Sequence, residues 1–571
     1  MVSKPAFNRS IIFNTTDMNK KYIPLFCVAA IWFVSCNKQL NLYPLDALSS
    51  PTYFKDSSDL ELYCNQFYQY LPIQNTEFEK NSDNQVPLSP DPLLSGLYVV
   101  PVTGGGWNFS NIRACNYFLQ RYQKAAAPLS TLNKYVAEVR FFRALFYWQM
   151  VKQFGDVPWT GTDLADTSTT VLYEPRTPHK QVMDSVLADM VFAANNLPDL
   201  NNVEPGRLDK WCALALMSRV CLWEGTWRRY HALGDELPYL DSTVSASEAI
   251  MNSGNFSLYS TGNPSRDYYN LFIQTNLLNN PESILSMYYQ ANILTEWESR
   301  DITIGAASGF SKNFVRSFLC SDGLPTALSP LYKGDDSLEE EATNRDPRFR
   351  QLIATRGFVL QNHTDGSQYL FTIPQIGTSN APTGYMPIKG FSPDPQQWDA
   401  NQGTINMFIF RYAEVLINEA EAKAELGQCD QTVIDNTVNK LRDRVGMTHM
   451  VISTLVKDPN SDFPSLPVLL DEIRRERRIE LASDGFRFDD LMRWADGPQI
   501  QNPETILGMK LIPAVAAEYP PSQISGIQLS PNGYIMVYGF TSRTWNDKMY
   551  LYPIPTQELT LNSQYQQNPG W

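Results

Sequence analysis

The segment from Asp471 to Trp494, DEIRRERRIELASDGFRFDDLMRW, limits the folds open to this chain more than any other stretch. Asp471–Ala482 has no Gly or Pro and is filled with helix formers, so it predicts a helix. Ser483-Asp484-Gly485 predicts its stop, because Gly accepts the left-handed conformation that closes a helix. Phe486, Phe488, Leu491, Met492 and Trp494 then resume an apolar pattern and predict the start of a second helix. A surface helix keeps its charges on one face. Here Arg474, Arg475, Glu476, Arg477, Arg478 and Glu480 run round the whole circumference, and Ile473, Ile479 and Leu481 alone cannot make an apolar stripe. Some of these charges must turn towards protein, where a charge persists only if it is paired. Glu476 and Glu480 are expected to meet Arg side chains of this helix or of a neighbour. The expected role of such a network is an ion-paired knot in the scaffold rather than a site.

The same residues, ERRIELASDGFRFDDLMRW, closely resemble the signature of SusD/RagB-type lipoproteins, the surface nutrient-binding proteins of Bacteroidetes. That pattern usually has Glu where Ser483 or Asp484 stands here, then Gly-x-Arg, which is Arg487, and an aromatic-Asp-Leu run. Other stretches resemble the family in the same order along the chain. They include NLYPLD at 41–46, IRACNYFL at 112–119, and AEVRFFRALFYWQMVKQFGDVPW at 137–159, with Arg140 and Arg143 in the expected places. DGLP at 322–325, LYKGD at 331–335, NRDPR at 344–348, VNKLRDRVG at 438–446, YPIP at 552–555 and QNPG at 567–570 follow. The resemblance implies a mainly α fold: a TPR-like helical-repeat scaffold with a large irregular, loop-rich ligand-binding region and few short strands. Arg140, Arg143, Glu476, Arg477, Glu480, Arg487 and Asp489 are expected to be structural.

Composition agrees with a globular protein, since 43% of residues are hydrophobic and 19% charged. A net charge of −14 argues against nucleic acid as a partner. At the N-terminus, Lys20 and Lys21 precede an apolar run, Tyr22–Val34, and then Ser35-Cys36. This is the layout of a secretory signal, and the run is too short for a membrane span of about 20 residues. Phe33-Val34-Ser35-Cys36 looks like a bacterial lipobox, with Phe33 in place of the usual Leu. Residues 1–35 are therefore expected to be the signal-peptide region, with Met18 as the true start, and Cys36 the lipidation site. Residues 36–56 read as anchor and tether. The remaining Cys are scattered, with no CxxC spacing, and read as small buried apolar residues.

Residues 57–571 are expected to form one domain. Helices are predicted at about 57–72, 110–254 and 408–496 from apolar spacing and from Gly and Pro positions. The longest runs from Thr131 to Phe154 and is closed by Gly155. Residues 73–109 and 255–405 lack helical period and are rich in turn residues, and long ordered loops of this kind are commonly functional. Gly104-Gly105-Gly106 reads as a flexible loop, because no Lys-Ser/Thr follows it and it has no GxGxxG spacing.

Motifs for catalysis are sparse. The four His (His179, His231, His363, His449) share no metal-binding spacing, and no nucleophile elbow is present. Asp489-Asp490 is a poor catalytic pair, since adjacent helical residues point apart. No cofactor is expected. Binding requires less: a sugar presents apolar C–H faces and hydroxyl rims, which call for exposed aromatics and directional polar groups. Trp107, Asn108 and Tyr98 in the first irregular segment are the best local candidates. Tyr288, Tyr289, Trp297 and Trp398 are candidates in the second, which the resemblance implies also meets ligand. The first functional expectation is a non-catalytic outer-membrane lipoprotein facing the exterior. It would capture an oligosaccharide or related nutrient and deliver it to a SusC-like TonB-dependent transporter. The alternatives are a secreted glycoside hydrolase on a helical scaffold, and a helical-repeat adaptor that binds only protein.

Overall fold

Breaks at Gly and Pro divide the chain into helices that stack in sequence order. The computed structural model describes residues 54–73, 79–164, 168–302, 308–378 and 381–571. Two units are separated at Lys55/Asp56, and the second, Asp56–Trp571, carries the helical scaffold. The signal, Cys36 and most of the tether lie outside the described residues.

The scaffold helices are α1 (Ser57–Asn65), α2 (Ser110–Leu119), α3 (Leu129–Phe154), α4 (His179–Asn196), α5 (Lys210–Tyr230) and α6 (Leu237–Met251). After a long insertion come α7 (Tyr412–Glu425), α8 (Val438–Val445), α9 (Val468–Glu480), α10 (Arg487–Arg493) and, near the C-terminus, α11 (Thr556–Leu561). Helices α1 and α2 pack on α3, which packs on α4. Helix α4 packs on α5, α5 on α6, α6 on α7, and α7 on α9. Each unit thus buries its apolar face against the next, as in TPR-like arrays. In α3 the turns from Phe141 to Trp148 are buried on every side, because the residues there are apolar nearly all round, Arg143 excepted. Its end is set by Gly155 at φ +71°, where an added Cβ would press on Leu551.

The insertion leaves and re-enters the scaffold at one place. Strand β2 (Ser283–Met287) pairs antiparallel with β6 (Met407–Arg411), placing Ser283 opposite Arg411 and Met287 opposite Met407. A helix was expected from Phe408. Instead the Phe-Ile-Phe run pairs as a strand, which suits aromatic and β-branched side chains, and the helix begins at Tyr412. The other strands are short: β1 (Gln85–Pro87) with β3 (Ser308–Phe310), the pair β4 (Val359–Asn362) and β5 (Gln368–Leu370), and a C-terminal sheet. The insertion has its own aromatic core, which includes Phe310, Phe314, Phe318, Phe349, Tyr385 and Phe391.

The charges of α9 are the joint between scaffold and insertion. The Glu480 carboxylate accepts from Arg444 (2.6 and 2.7 Å), Arg411 (2.7 Å) and Arg348 (3.3 Å). Glu476 pairs with Arg348 at 2.6 Å and Arg442 at 2.9 Å. Arg411 also reaches Glu282 and Asp484, and Lys389 lies 2.6 Å from Asp484. Burial alone would raise the Glu480 pKa, but Arg444, Arg411 and Arg348 outweigh it and hold it at about 2. Arg477 pairs with Asp490, and Arg487 with Asp83, which lies far back in the chain. Asp489 binds Lys152 instead, so Asp489 and Asp490 do point apart. Among the described residues no helix is long and apolar enough to cross a membrane.

Candidate ligand-binding clefts

The 104–107 turn approaches the end of α3 so closely that only Gly fits. Gly106 has φ +92°, and a Cβ there would collide with the Gln153 side-chain amide. That amide donates to the Gly105 carbonyl at 2.9 Å, and Trp107 N–H donates to the Gly104 carbonyl at 3.0 Å. A flexible loop was expected from the Gly run; the structure has a turn clamped to α3. The clamp fixes Trp107, half-buried, with Phe154 and Phe109 at ring distances of 5.0 and 5.2 Å, both near-perpendicular, and Tyr565 at 6.0 Å.

Trp107 lines a cleft of about 540 Å³ formed by α2, residues 158–164 and 171–173, and α11. Its aromatic wall is Trp107, Phe109, Tyr173 and Tyr565. Arg113, Thr160, Thr162, Glu558 and Asn562 supply polar groups. Tyr173 is 56% exposed and so offers its ring to a ligand.

The 158–163 wall is held from behind by Arg143. Arg143 makes a bidentate pair with Asp189 (2.7 and 2.9 Å) and donates to Asn116 Oδ1 at 2.9 Å. Asn116 Nδ2 then donates to the Thr160 carbonyl at 2.7 Å and the Thr162 carbonyl at 3.3 Å. Burial opposes the charge on Arg143, but the Asp189 carboxylate outweighs it and raises the pKa above the ordinary arginine range. Arg140 approaches the same carboxylate at 3.7 Å. On the other wall, Asn562 Nδ2 donates to the carbonyls of Leu172 (3.1 Å) and Glu174 (3.0 Å), tying α11 to the 168–174 segment.

The remaining aromatic and polar candidates lie apart from this cleft. Asn108 Oδ1 accepts from Ser110 N–H at 2.9 Å at the start of α2. Tyr98 packs edge-on against Tyr552 and Trp571. Tyr288 lines a separate cleft of about 480 Å³, where its ring covers Gly206. Tyr289 is half-buried, and burial together with Glu296 and Glu298 pushes its hydroxyl up to about 12. Trp297 is 42% exposed, with the Arg300 guanidinium 5.6 Å from its ring centre. Arg300 also donates to the Trp398 carbonyl at 3.0 Å, which links the two tryptophans. Trp398 lines a third cleft, of about 400 Å³, with Tyr369. Tyr173, Tyr565 and Tyr369 had not been singled out from sequence. Their signal is the one that marked Trp107, an aromatic in a polar or turn-rich stretch outside any helical face.

The family model described as the SusD family matches residues 269–571. The chain belongs to the SusD family. A second model, described as starch-binding associating with outer membrane, matches residues 107–222 of this SusD-family chain. A SusD-like protein of Formosa agariphila is 21% identical over 97% of this chain and 100% of its own length. Two solved structures from Bacteroides fragilis NCTC 9343 have the same fold, each with a TM-score of 0.69. A SusD-like protein there is 24% identical, covering 93% of this chain and 100% of its own. A SusD-like carbohydrate binding protein is 22% identical, covering 90% and 100%.

Proposed function

We propose that the protein binds a nutrient oligosaccharide or polysaccharide at the cell surface without changing it, and delivers it to a SusC-like TonB-dependent transporter. The observation that carries this reading is the Trp107 cleft in a SusD-family chain: a fixed indole, two tyrosines and a polar rim. A sugar ring stacks on the aromatic wall while Arg113, Thr160, Thr162 and Asn562 surround its hydroxyls. Trp107 is the principal contact, with Asn108 at the neck of the same turn. Tyr98, Tyr288, Tyr289, Trp297 and Trp398 are further contacts for an extended chain. Residues 57–571 act as one domain, and Cys36 is the lipid anchor that holds it on the outer face of the outer membrane. The outer-membrane description of the model matching 107–222 supports that address, and the carbohydrate-binding description of the B. fragilis relative supports the ligand class.

A hydrolase would need two carboxylates flanking the scissile bond. Of the described residues lining the Trp107 cleft, Glu558 carries one. The test uses the chain from Asn37 onward against starch, xylan, pectic galactan, yeast mannan and mucin glycans, with product analysis on the same samples. Retention of an intact glycan, weakened by Trp107→Ala, supports capture. Release of reducing ends sinks it in favour of a hydrolase, and retention of a barrel protein with no glycan favours an adaptor.

A further inference from the structure

We infer that the aliphatic half of the Trp107 cleft is a pocket for an aromatic acyl group, carried as an ester on the bound glycan. The inference deepens the carbohydrate reading above and rests on it for the glycan. A bare sugar accounts for only one wall of the cleft. Trp107, Phe109 and Tyr565 give a stacking face, but Val171, Leu172 and Leu561 line the same space. Those three side chains are 39%, 42% and 58% exposed. A sugar hydroxyl set against them loses water and gains no hydrogen bond. Apolar side chains gathered in a concave site instead mark an apolar part of the ligand.

The aliphatic wall is built locally and then locked. Val171-Leu172-Tyr173 is a short apolar run between Ser168-Thr169-Thr170 and Glu174-Pro175. Asn562 Nδ2 holds it by donating to the Leu172 and Glu174 carbonyls, at 3.1 and 3.0 Å. Asn562 directly follows Leu561, so one contact fixes both aliphatic segments. On α11, Glu558 and Leu561 are three residues apart and share a face. At the start of α2, Phe109, Ile112 and Arg113 follow the same helical spacing and all line the cleft.

Arg113 supplies what an ester carbonyl needs. Its Nε donates to Asp163 at 3.2 Å, and its two terminal nitrogens have no hydrogen-bond partner among the described residues. Those nitrogens can donate to a carbonyl oxygen. Glu558, in the same lining, can accept from a hydroxyl of the ring or of the sugar. An aromatic face, an aliphatic face and a forked donor together suit a flat ring joined to a carbonyl. A cleft of about 540 Å³ has room for a sugar ring and such a group together.

The test uses the chain from Asn37 onward and reads affinity by calorimetry. One probe is methyl ferulate, an aromatic acyl ester without a sugar. The other is feruloylated arabinoxylan fragments before and after mild alkali, which hydrolyses the ester and leaves the glycosidic bonds. The proteins are wild type, Leu172→Asn, Leu561→Asn and Arg113→Gln. Both leucines are surface-exposed, so their variants fold, and unchanged melting temperatures check this. Methyl ferulate should bind wild type, and about tenfold more weakly in each leucine variant. In Arg113→Gln the loss should be about three- to tenfold. Alkali should weaken fragment binding about tenfold in wild type and much less in Leu172→Asn. No saturable binding of methyl ferulate by wild type, or binding within twofold of wild type in both leucine variants, would overturn the pocket. Equal affinity for the fragments before and after alkali would overturn it too, with the carbohydrate reading intact. Methyl ferulate binding that falls in both leucine variants, with no glycan retained, esterified or bare, would overturn the carbohydrate reading and the glycan as carrier.

Discussion

Arg143 grips Asp189 through two parallel hydrogen bonds, at 2.7 and 2.9 Å, and spends its third arm on Asn116. A buried scaffold pair thereby reaches the cleft wall at Thr160 through a single side chain. The arginine that looks purely structural is two hydrogen bonds from the surface a ligand touches. Scaffold and site are continuous here, and changes to one should register in the other.

Arg143→Met should destabilise the protein by about 3–5 kcal/mol, because it leaves the Asp189 charge buried with Arg140 at a longer distance. Asn116→Ala removes only the link to the wall. Its expected cost is about 1–3 kcal/mol, with weaker glycan binding at full occupancy of the folded state. Urea unfolding midpoints with unchanged slopes, read beside calorimetric affinities, separate the two effects. Equal affinities for Asn116→Ala and wild type would cut the proposed link.

Gly106→Ala should weaken binding without removing any ring. At φ +92° and against Gln153, the added methyl strains the turn by about 1–3 kcal/mol and frees Trp107 to shift. The expected loss is about tenfold in glycan affinity, the equivalent of about 1.4 kcal/mol. A double change, Gly106→Ala with Gln153→Ala, relieves the collision but removes the clamp on the Gly105 carbonyl and keeps the backbone strain, so it should not recover the loss.

What the sequence could and could not reveal follows from how far each signal reaches. Helix α3 was legible to within two residues at its start, because apolar spacing and the closing Gly155 are local. The paired fate of Glu476 and Glu480 was legible too, since charges all round a helix leave no other outcome. Their partners were not: Arg348, Arg411, Arg442 and Arg444 come from the insertion, from β6 and from α8, and spacing within one helix says nothing of them. Arg487 finds Asp83 some four hundred residues away. The cleft posed the same difficulty, because its walls are drawn from 107–113, 158–164, 171–173 and 558–565. Trp107 could be suspected from its surroundings, but not that Tyr173 and Tyr565 face it. The Gly run was misjudged because flexibility was inferred from composition, whereas Gln153 fixes the turn through tertiary contact.

Stability should peak near pH 4. Burial would raise Asp83, Glu421 and Glu480, but their arginine partners hold each at about 2, below the unfolded value of about 4. Their contribution is full above pH 4 and is lost as pH falls from about 4 to about 2. Glu79 and Asp496 act in the opposite sense, because burial lifts each to about 7. The folded state binds the extra protons between about 4 and 7, so stability drops as pH rises through that window. Thermal melts from pH 2 to 8 should show a maximum near 4 and a steep acid limb. In Glu79→Gln the alkaline decline should shrink; an unchanged decline would exclude Glu79 as its source.

Glu480→Gln should be among the most damaging single changes in the protein. The amide keeps the shape of the side chain but removes the one carboxylate shared by Arg348, Arg411 and Arg444. Their other partners, Asp346, Glu476, Glu282 and Asp484, already serve the same cluster and cannot supply the missing charge. An unbalanced buried charge of this kind costs about 3–5 kcal/mol. Asp489→Asn is the control, since its bridge to Lys152 is partly open to solvent and should be worth under about 1 kcal/mol. Because Arg411 ends β6 and Glu480 ends α9, loss of the knot should also loosen the insertion from the scaffold. Hydrogen exchange in β2 and β6 is expected to quicken in Glu480→Gln and not in Asp489→Asn. Equal protection in both variants would mean that strand pairing, rather than the ion knot, fastens the insertion.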